Sequence, residues 1–447
     1  MPAPRLIGCI LGFAAVAMGG AARAETLDAG VARVDITPPL GFLLDGYPDP
    51  DSLRGAVGVR DPLYARILVL ECGATRLALA DLDLVDVFSP PYIEDLRKAT
   101  SRDVSDLIVD AIHTHSGPGL DGGPGTPLAA WYKASVEKIA AGVHDAASRA
   151  VPARLGVGYG VAFLGNNRLR IEHDLGISWF EKNWTGTPNG LVDPTVAVLR
   201  IDDAAGSPLA VLVNYACHPV IYAPDNKLYS ADFPGVMTGF VQKAMGDKPL
   251  CFYLQGGAGN INPTHAVSPL QQGAVEFCRQ AGTELGSAVV RVAEAIRTEA
   301  PAKPSLQVKE ETITLHPRWN GEKWRAAHPE NAAFIAQLTK PEYQAPICTV
   351  LIDGEIALTA LPGEPFVEHQ MQFRARCPVP HAFFLGYSNA EFDYFPTIRA
   401  ASWGGYGASH ASTWVEVGAG EAMVDRGLIG VYEMLGRLKP VAEDLQP

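Results

Sequence analysis

At 447 residues, 47% hydrophobic and 19% charged, the chain can bury a large core, which excludes a disordered or fibrous protein. Its net charge of −13 at pH 7 argues against a nucleic-acid partner.

The first segment carries Arg5, then an apolar run from Leu6 to Met18, then the small residues of Ala22-Arg23-Ala24. The run is too short to span a bilayer comfortably, so residues 1–24 read as a secretory signal peptide, the alternative being an uncleaved anchor. The mature chain then starts near Glu25 and is expected to be secreted or periplasmic. No later apolar stretch has spanning length, so no integral membrane span is expected after cleavage. The cysteines beyond the leader are Cys72, Cys217, Cys251, Cys278, Cys348 and Cys377, an even number that permits disulfides in an oxidising compartment. No C-x-x-C spacing occurs, which excludes a zinc knuckle and a thioredoxin motif, and Cys217 in its apolar run reads as a buried thiol.

Apolar, β-branched runs predict strands at 65–70, 76–83 and 106–112. The last of these runs into Asp110-Ala111-Ile112-His113-Thr114-His115-Ser116-Gly117-Pro118-Gly119. If the strand continued, His113 and His115 would share a face, one ligating a metal and the other supporting it or acting as acid/base. Two structural histidines would give the same H-x-H pattern. Spacing of Val136, Ile139, Ala140, Val143 and Ala147 predicts a helix. Strands follow at 196–201 and 209–215, the second leading to Cys217-His218-Pro219, so His218 also lies where the chain leaves a sheet.

A strand at 250–254 opens into Gln255-Gly256-Gly257-Ala258-Gly259-Asn260-Ile261-Asn262-Pro263. This run lacks the Lys-Ser/Thr of a P-loop, and Asn262 stands where the dinucleotide fingerprint needs its third glycine. Close backbone approach to a substrate is the more economical reading, with a plain tight turn as its rival. A helix is expected from Val275 through Cys278, Leu285, Val289 and Val292 to Ile296, then a linker at 299–305, then a hairpin turning at Asp353-Gly354. Beyond the hairpin, Pro362-Gly363-Glu364-Pro365 fixes a carboxylate just past a strand, although an exposed turn glutamate would look the same. A last helical pattern runs from Glu421 to Leu438. Interleaved strands and helices predict an α/β fold with mixed, partly parallel sheets, packed helices and an active site on loops at strand ends.

These pieces, in this order, resemble the neutral/alkaline non-lysosomal ceramidase family. The resemblance rests on Val34-Asp35-Ile36-Thr37-Pro38-Pro39, Gly46-Tyr47, Arg60-Asp61-Pro62-Leu63-Tyr64-Ala65-Arg66 and, most specifically, His113 to Gly119. It continues through Asn167-Arg168, Asp193-Pro194, His218-Pro219, Ser230 to Gly235, Ala258-Gly259-Asn260, Pro362-Gly363-Glu364, Ser388-Asn389 and Tyr394. The resemblance implies a catalytic Zn2+ held by His113, His218, Glu364 and Tyr394, with His115, Arg168 and Tyr406 on the substrate side. Two departures stand out: Asn262 occupies the place of the family's serine, and the chain ends at Pro447 where the family carries an immunoglobulin-like domain. Residues 25–447 are therefore expected to form a ceramidase-like zinc hydrolase domain alone, with no C-terminal immunoglobulin-like domain.

The function so implied is hydrolysis of an N-acyl amide bond in a small-molecule or lipid substrate by attack of metal-bound water. Tyr406, Arg168 or the amides of Gly256 to Asn260 would face the oxyanion, His115 would protonate the leaving amine, and Asn262 would hydrogen-bond the substrate amide. Alternatives are the same site acting on another amide, an ester or a lactone, and a non-catalytic metal-stabilised binding protein. The chain lacks a G-x-S-x-G elbow, which disfavours a serine hydrolase.

Overall fold

A computed structural model describes residues 26–47, 55–119, 127–171, 177–179, 183, 185, 189–329, 340–409 and 412–439. The expected leader lies outside the described residues.

Eight strands form the main sheet: β1 (Asp28–Asp35), β2 (Tyr64–Cys72), β3 (Thr75–Leu82), β4 (Asp106–Ala111), β5 (Val151–Val161), β6 (Thr195–Asp203), β7 (Pro208–Tyr215) and β8 (Leu250–Gln255). Their order across the sheet is β8-β7-β6-β5-β1-β2-β3-β4. A second sheet joins β9 (Leu306–Leu315), β10 (Tyr343–Ile352), β11 (Ile356–Ala360) and β12 (His381–Leu385) in that order. Both sheets are mixed, as the interleaved pattern predicted. Parallel pairing occurs at β3–β4, β7–β8 and β11–β12. Each of these pairs is joined by a helix, as parallel strands require: α1 (Pro90–Thr100), α3 (Asp232–Ala244) and α5 (Val367–Arg376) respectively. The helices α2 (Pro127–Ser148), α4 (Ala274–Ala295) and α6 (Ala419–Met434) complete the packing.

The strand period of two sorts side chains between separate cores. Ile67 and Val69 of β2 face a core shared with Ile139 of α2, Met237 of α3 and Val289 of α4. Their neighbours Leu68 and Leu70 face Val350, Ile352, Phe383 and Leu385 of the second sheet. The far side of that sheet, through Leu351 and Phe384, packs on Phe373 of α5 and Met423 of α6. The layers therefore run helices, sheet, sheet, helices. Asn214 pins the two sheets together, its Nδ2 donating to Leu254 O (3.0 Å) and Phe384 O (2.8 Å) while its Oδ1 accepts from Arg374 Nη2 (2.7 Å). The linker expected at 299–305 runs between the sheets, tied down where Leu155 and Glu299 exchange backbone bonds of 2.9 Å. In the hairpin, Asp353 and Gly354 take φ of 54° and 68°, the left-handed pair that a tight β-turn needs, and Glu355 N returns to Ile352 O. All six cysteines are free thiols and Cys217 is buried, so the even count makes no bridge.

The main sheet curls until its ends meet. In a flat sheet, the seven strand spacings from β8 to β4 would separate them by about 34 Å. Instead the edges are sewn together. Tyr253 N on β8 donates to Asp81 Oδ2 on β3 (3.2 Å), and the Gln255 amide bridges the seam. Gln255 Nε2 donates to Ile112 O and to Cys217 O, both at 3.0 Å, and its Oε1 accepts from Cys217 N at 3.3 Å. Those two carbonyls belong to the residues immediately before His113 and His218.

Gln255→Met keeps side-chain volume but leaves the buried Ile112 carbonyl without its donor and the Cys217 amide without its acceptor, while Cys217 O keeps Tyr253 Oη (3.1 Å), so it should cost about 3 kcal/mol of stability. Urea unfolding measures this, and a loss below about 1 kcal/mol would mean that the seam is held by other contacts.

Candidate metal centre

Each chemistry-bearing segment leaves the sheets at the carboxyl end of a strand in a parallel pair, where α/β folds place their sites. Past β4, Ile112 N bonds Leu82 O and His113 N bonds Leu84 O. The strand has ended by then, and His113 takes φ 68°, so the two histidines do not share a strand face as the i, i+2 argument supposed. The turn brings the rings together instead, with His115 Nε2 3.2 Å from His113 Nε2. Past β7, His218 N bonds Ile261 O, which docks this segment on the glycine-rich loop. Glu364 opens a two-residue strand that pairs in parallel with Tyr394-Phe395, and Glu364 and Tyr394 are register partners.

Backbone carbonyls fix how the imidazoles present themselves. His113 Nδ1 lies 2.6 Å from Val85 O, and His218 Nδ1 lies 2.6 Å from Ala258 O and 3.2 Å from Ile261 O. A carbonyl only accepts, so both Nδ1 atoms carry the proton and both Nε2 atoms are lone pairs. Those lone pairs face one carboxylate oxygen, Glu364 Oε2, at 2.9 Å from His218 and 3.5 Å from His113. Burial is the largest cause lowering all three histidines: His113 falls to about 4, and His115 and His218 lie well below the usual imidazole range. Neutral nitrogens and a carboxylate thus converge with no proton between His113 or His218 and Glu364. That set suits a divalent cation of zinc's preferences. Ring nitrogens of His113, His115 and His218 lie within 4.8 Å of one another, so His115 is available as a third nitrogen as well as a neighbour. Around them burial, followed by nearby acids, pushes the carboxyls of Asp86 and Asp393 well above the usual range.

The other expected residues lie alongside. Arg168 is buried, which overturns the surface ion pair that a lone arginine would suggest. Its Nη1 donates to Asn262 Oδ1 (3.0 Å) and its Nη2 to Gly259 O (2.9 Å) and Tyr394 Oη (2.6 Å). Tyr394 stacks against His218 with centroids 6.5 Å apart, and Tyr406 meets Tyr394 edge-on at 5.4 Å. Tyr406 is 44% exposed and sits at the rim, while Asn262 is buried beneath. Partial burial lifts the Tyr406 phenol to about 12.

Sequence reasoning missed two aromatic neighbours. Tyr47 belonged to a quoted motif without a role, and its ring lies 4.8 Å from that of His115. Tyr387 donates from its hydroxyl to Glu364 Oε2 and lies 4.4 Å from the His113 ring. Its signal was a strand end running into Gly386, the same pattern that marked His218 and Glu364.

No protein-family model matches the chain. It is 26% identical over 289 residues to the neutral ceramidase of Pseudomonas aeruginosa, a match spanning 59% of this chain and 41% of that relative. In structure it superposes on the crystal structure of neutral ceramidase from Pseudomonas aeruginosa with a TM-score of 0.74 at 19% identity, covering 95% of this chain and 77% of the other. A ceramidase complexed with C2 gives a TM-score of 0.73 at 19% identity with the same coverage.

The backbone of Gly259 lies so close to the Glu364 turn that an added Cβ would stand 2.4 Å from Glu364 O. Gly259→Ala must therefore displace the carboxylate. Divalent-metal content of the purified variant, read by elemental analysis against that of the wild type, is expected to fall by at least about tenfold with the circular dichroism unchanged; wild-type metal content would break the link between this loop and Glu364.

Proposed function

We propose that this chain, neutral-ceramidase-like in sequence and fold, is an exported zinc-dependent hydrolase that cleaves an N-acyl amide bond. The observation that carries the reading is the convergence of His113 Nε2, His218 Nε2 and Glu364 Oε2 as acceptors on one point. His113, His218 and Glu364 would hold the ion, with Tyr394, the register partner of Glu364, as the further ligand. Zinc bound there supplies a Lewis acid for the scissile carbonyl and lowers the pKa of water into the neutral range.

The protein's own groups do the rest. Arg168 supplies a buried positive charge, and Tyr406, at the rim with its phenol proton retained, donates to the developing oxyanion. His115 Nε2 lies 3.2 Å from His113 Nε2, and His115 is the residue from which a proton passes to the leaving amine. Asn262 has no hydroxyl to offer as a nucleophile. Its Oδ1 is held by Arg168, and in this reading its carboxamide hydrogen-bonds the substrate amide. The leader at residues 1–24 sends the enzyme to the periplasm or outside the cell, and residues 25–447 do the chemistry. No helix among the described residues is long and apolar enough to cross a membrane. A second reading, the same site acting on another amide, an ester or a lactone, is favoured by Asn262 itself, because the family's serine is absent beside the proposed scissile bond.

Two measurements separate these readings. Release of fatty acid from N-acyl sphingosines in detergent, set against short-chain amides, esters and lactones, should be fastest for the N-acyl sphingosines; turnover only of esters or lactones would select the second reading. His115→Ala is expected to lower kcat by about 10²- to 10⁴-fold while zinc content stays at about one per chain. Loss of the metal in that variant would instead make His115 a ligand.

A further inference from the structure

Tyr387 touches both halves of the metal centre by four separate routes. Its amide donates to Gly363 O (2.8 Å), the residue before Glu364, and its carbonyl accepts from Ala111 N (3.2 Å), two residues before His113. Its ring tilts against His113 with centroids 4.4 Å apart, and its hydroxyl donates to Glu364 Oε2 at 3.3 Å. Next to it, Ser388 Oγ donates to Asp110 Oδ1 (2.7 Å), while Asn389 bonds Val109 through its amide (2.8 Å) and its Oδ1 (2.9 Å). This segment laces along the outer edge of β4 and leaves Tyr387 facing inward, fully buried.

The backbone takes an unfavourable form to do this. Tyr387 has φ 53°, a left-handed conformation that an aromatic residue rarely adopts. A turn that needed only that conformation would be better served by glycine or asparagine, so the side chain has a reason to be there. Glu364 Oε2 is the oxygen aimed at His218 and His113, and the Tyr387 hydroxyl is the donor that approaches it from the remaining side.

We propose that Tyr387 is the positioning residue of the metal centre, setting the separation of Glu364 from His113 and fixing which carboxylate oxygen faces the ion. The inference rests on reading this site as a metal centre. Outer partners of this kind orient ligands and tune their affinity without touching the metal.

The test strips metal from the full-length protein with a chelator and titrates it with Co2+, in wild type and in Tyr387→Phe. Phenylalanine keeps the ring against His113 and removes only the donor. Co2+ affinity should weaken by about 10- to 100-fold and the visible absorption bands of the bound ion should change, with the urea midpoint of the metal-free protein unmoved. Wild-type affinity and spectrum in the variant would overturn the proposal. So would a metal-free variant that unfolds at lower urea, since the hydroxyl would then serve the fold and not the ligand. If the wild type takes up neither Co2+ nor Zn2+, the metal reading falls with it; if the wild type binds and Tyr387→Phe matches it, this inference falls alone.

Discussion

Closure of the main sheet is the constraint on which everything else depends. His113 leaves the sheet at one edge strand, and His218 leaves from the strand beside the other edge. Their rings nonetheless lie 4.8 Å apart. Curling of the sheet, in which β1 and β5 share only the register pairs Asp28 with Pro152 and Ala29 with Val151, brings its two ends together, and a curled sheet still has exposed donors and acceptors along the seam. Asp81 and Gln255 bridge the seam with side chains, while residues 387–389 bond along the outer edge of β4. Gln255 makes the seam and the site one object: the carbonyls it holds precede the two histidines directly.

The second sheet adds the carboxylate. Packed face to face on the first through Asn214 and an apolar layer, it sends β11 into Pro362-Gly363-Glu364 and β12 into Gly386-Tyr387 at the same end as the histidines. The glycine-rich loop past β8 fills the space between. Gly259 has no room for a side chain against Glu364, and its carbonyl accepts from Arg168. The loop that looked like a nucleotide cradle is therefore a spacer between the His218 and Glu364 turns, and its glycines serve close approach of backbone to backbone.

How much of this was legible follows from which interactions are local. Strand ends that run into His113, His218 and Glu364 are short-range patterns, and periodicity was enough to place all three at the mouths of strands. Mixed, partly parallel sheets followed from the interleaving. The closure was not legible, because no window of sequence contains β4 and β8 together. Nor was the left-handed turn at His113, where a continuous strand was the natural reading of Asp110 to His115. Arg168 shows the same limit: a lone arginine in a polar run looks like a surface group, and only its three partners from the glycine-rich loop and the Tyr394 strand reveal it as buried. Tyr387 carried the strand-end signal as clearly as Glu364 did, but tyrosine is so common in cores that the pattern alone assigns it no chemistry.

Contacts between acceptors need a positive charge between them, and either a proton or a metal ion can supply it. A proton is directional and serves one line, so placing it between His218 and Glu364 leaves His113 Nε2 to the His115 nitrogen 3.2 Å away. Protonating the imidazoles is opposed twice over. Burial is the largest cause, and the Arg168 charge acts in the same direction on all three rings, although Glu364 pulls His113 the other way. With His113 at about 4, only roughly one molecule in a thousand would carry that imidazolium at pH 7. A divalent cation faces no such restriction. It accepts several lone pairs at once, prefers the neutral nitrogens that burial enforces, and leaves the Nδ1 protons with Val85, Ala258 and Ile261 where the backbone already holds them. The same burial that makes these histidines poor bases suits them to a divalent cation, and the guanidinium beside them opposes a proton there.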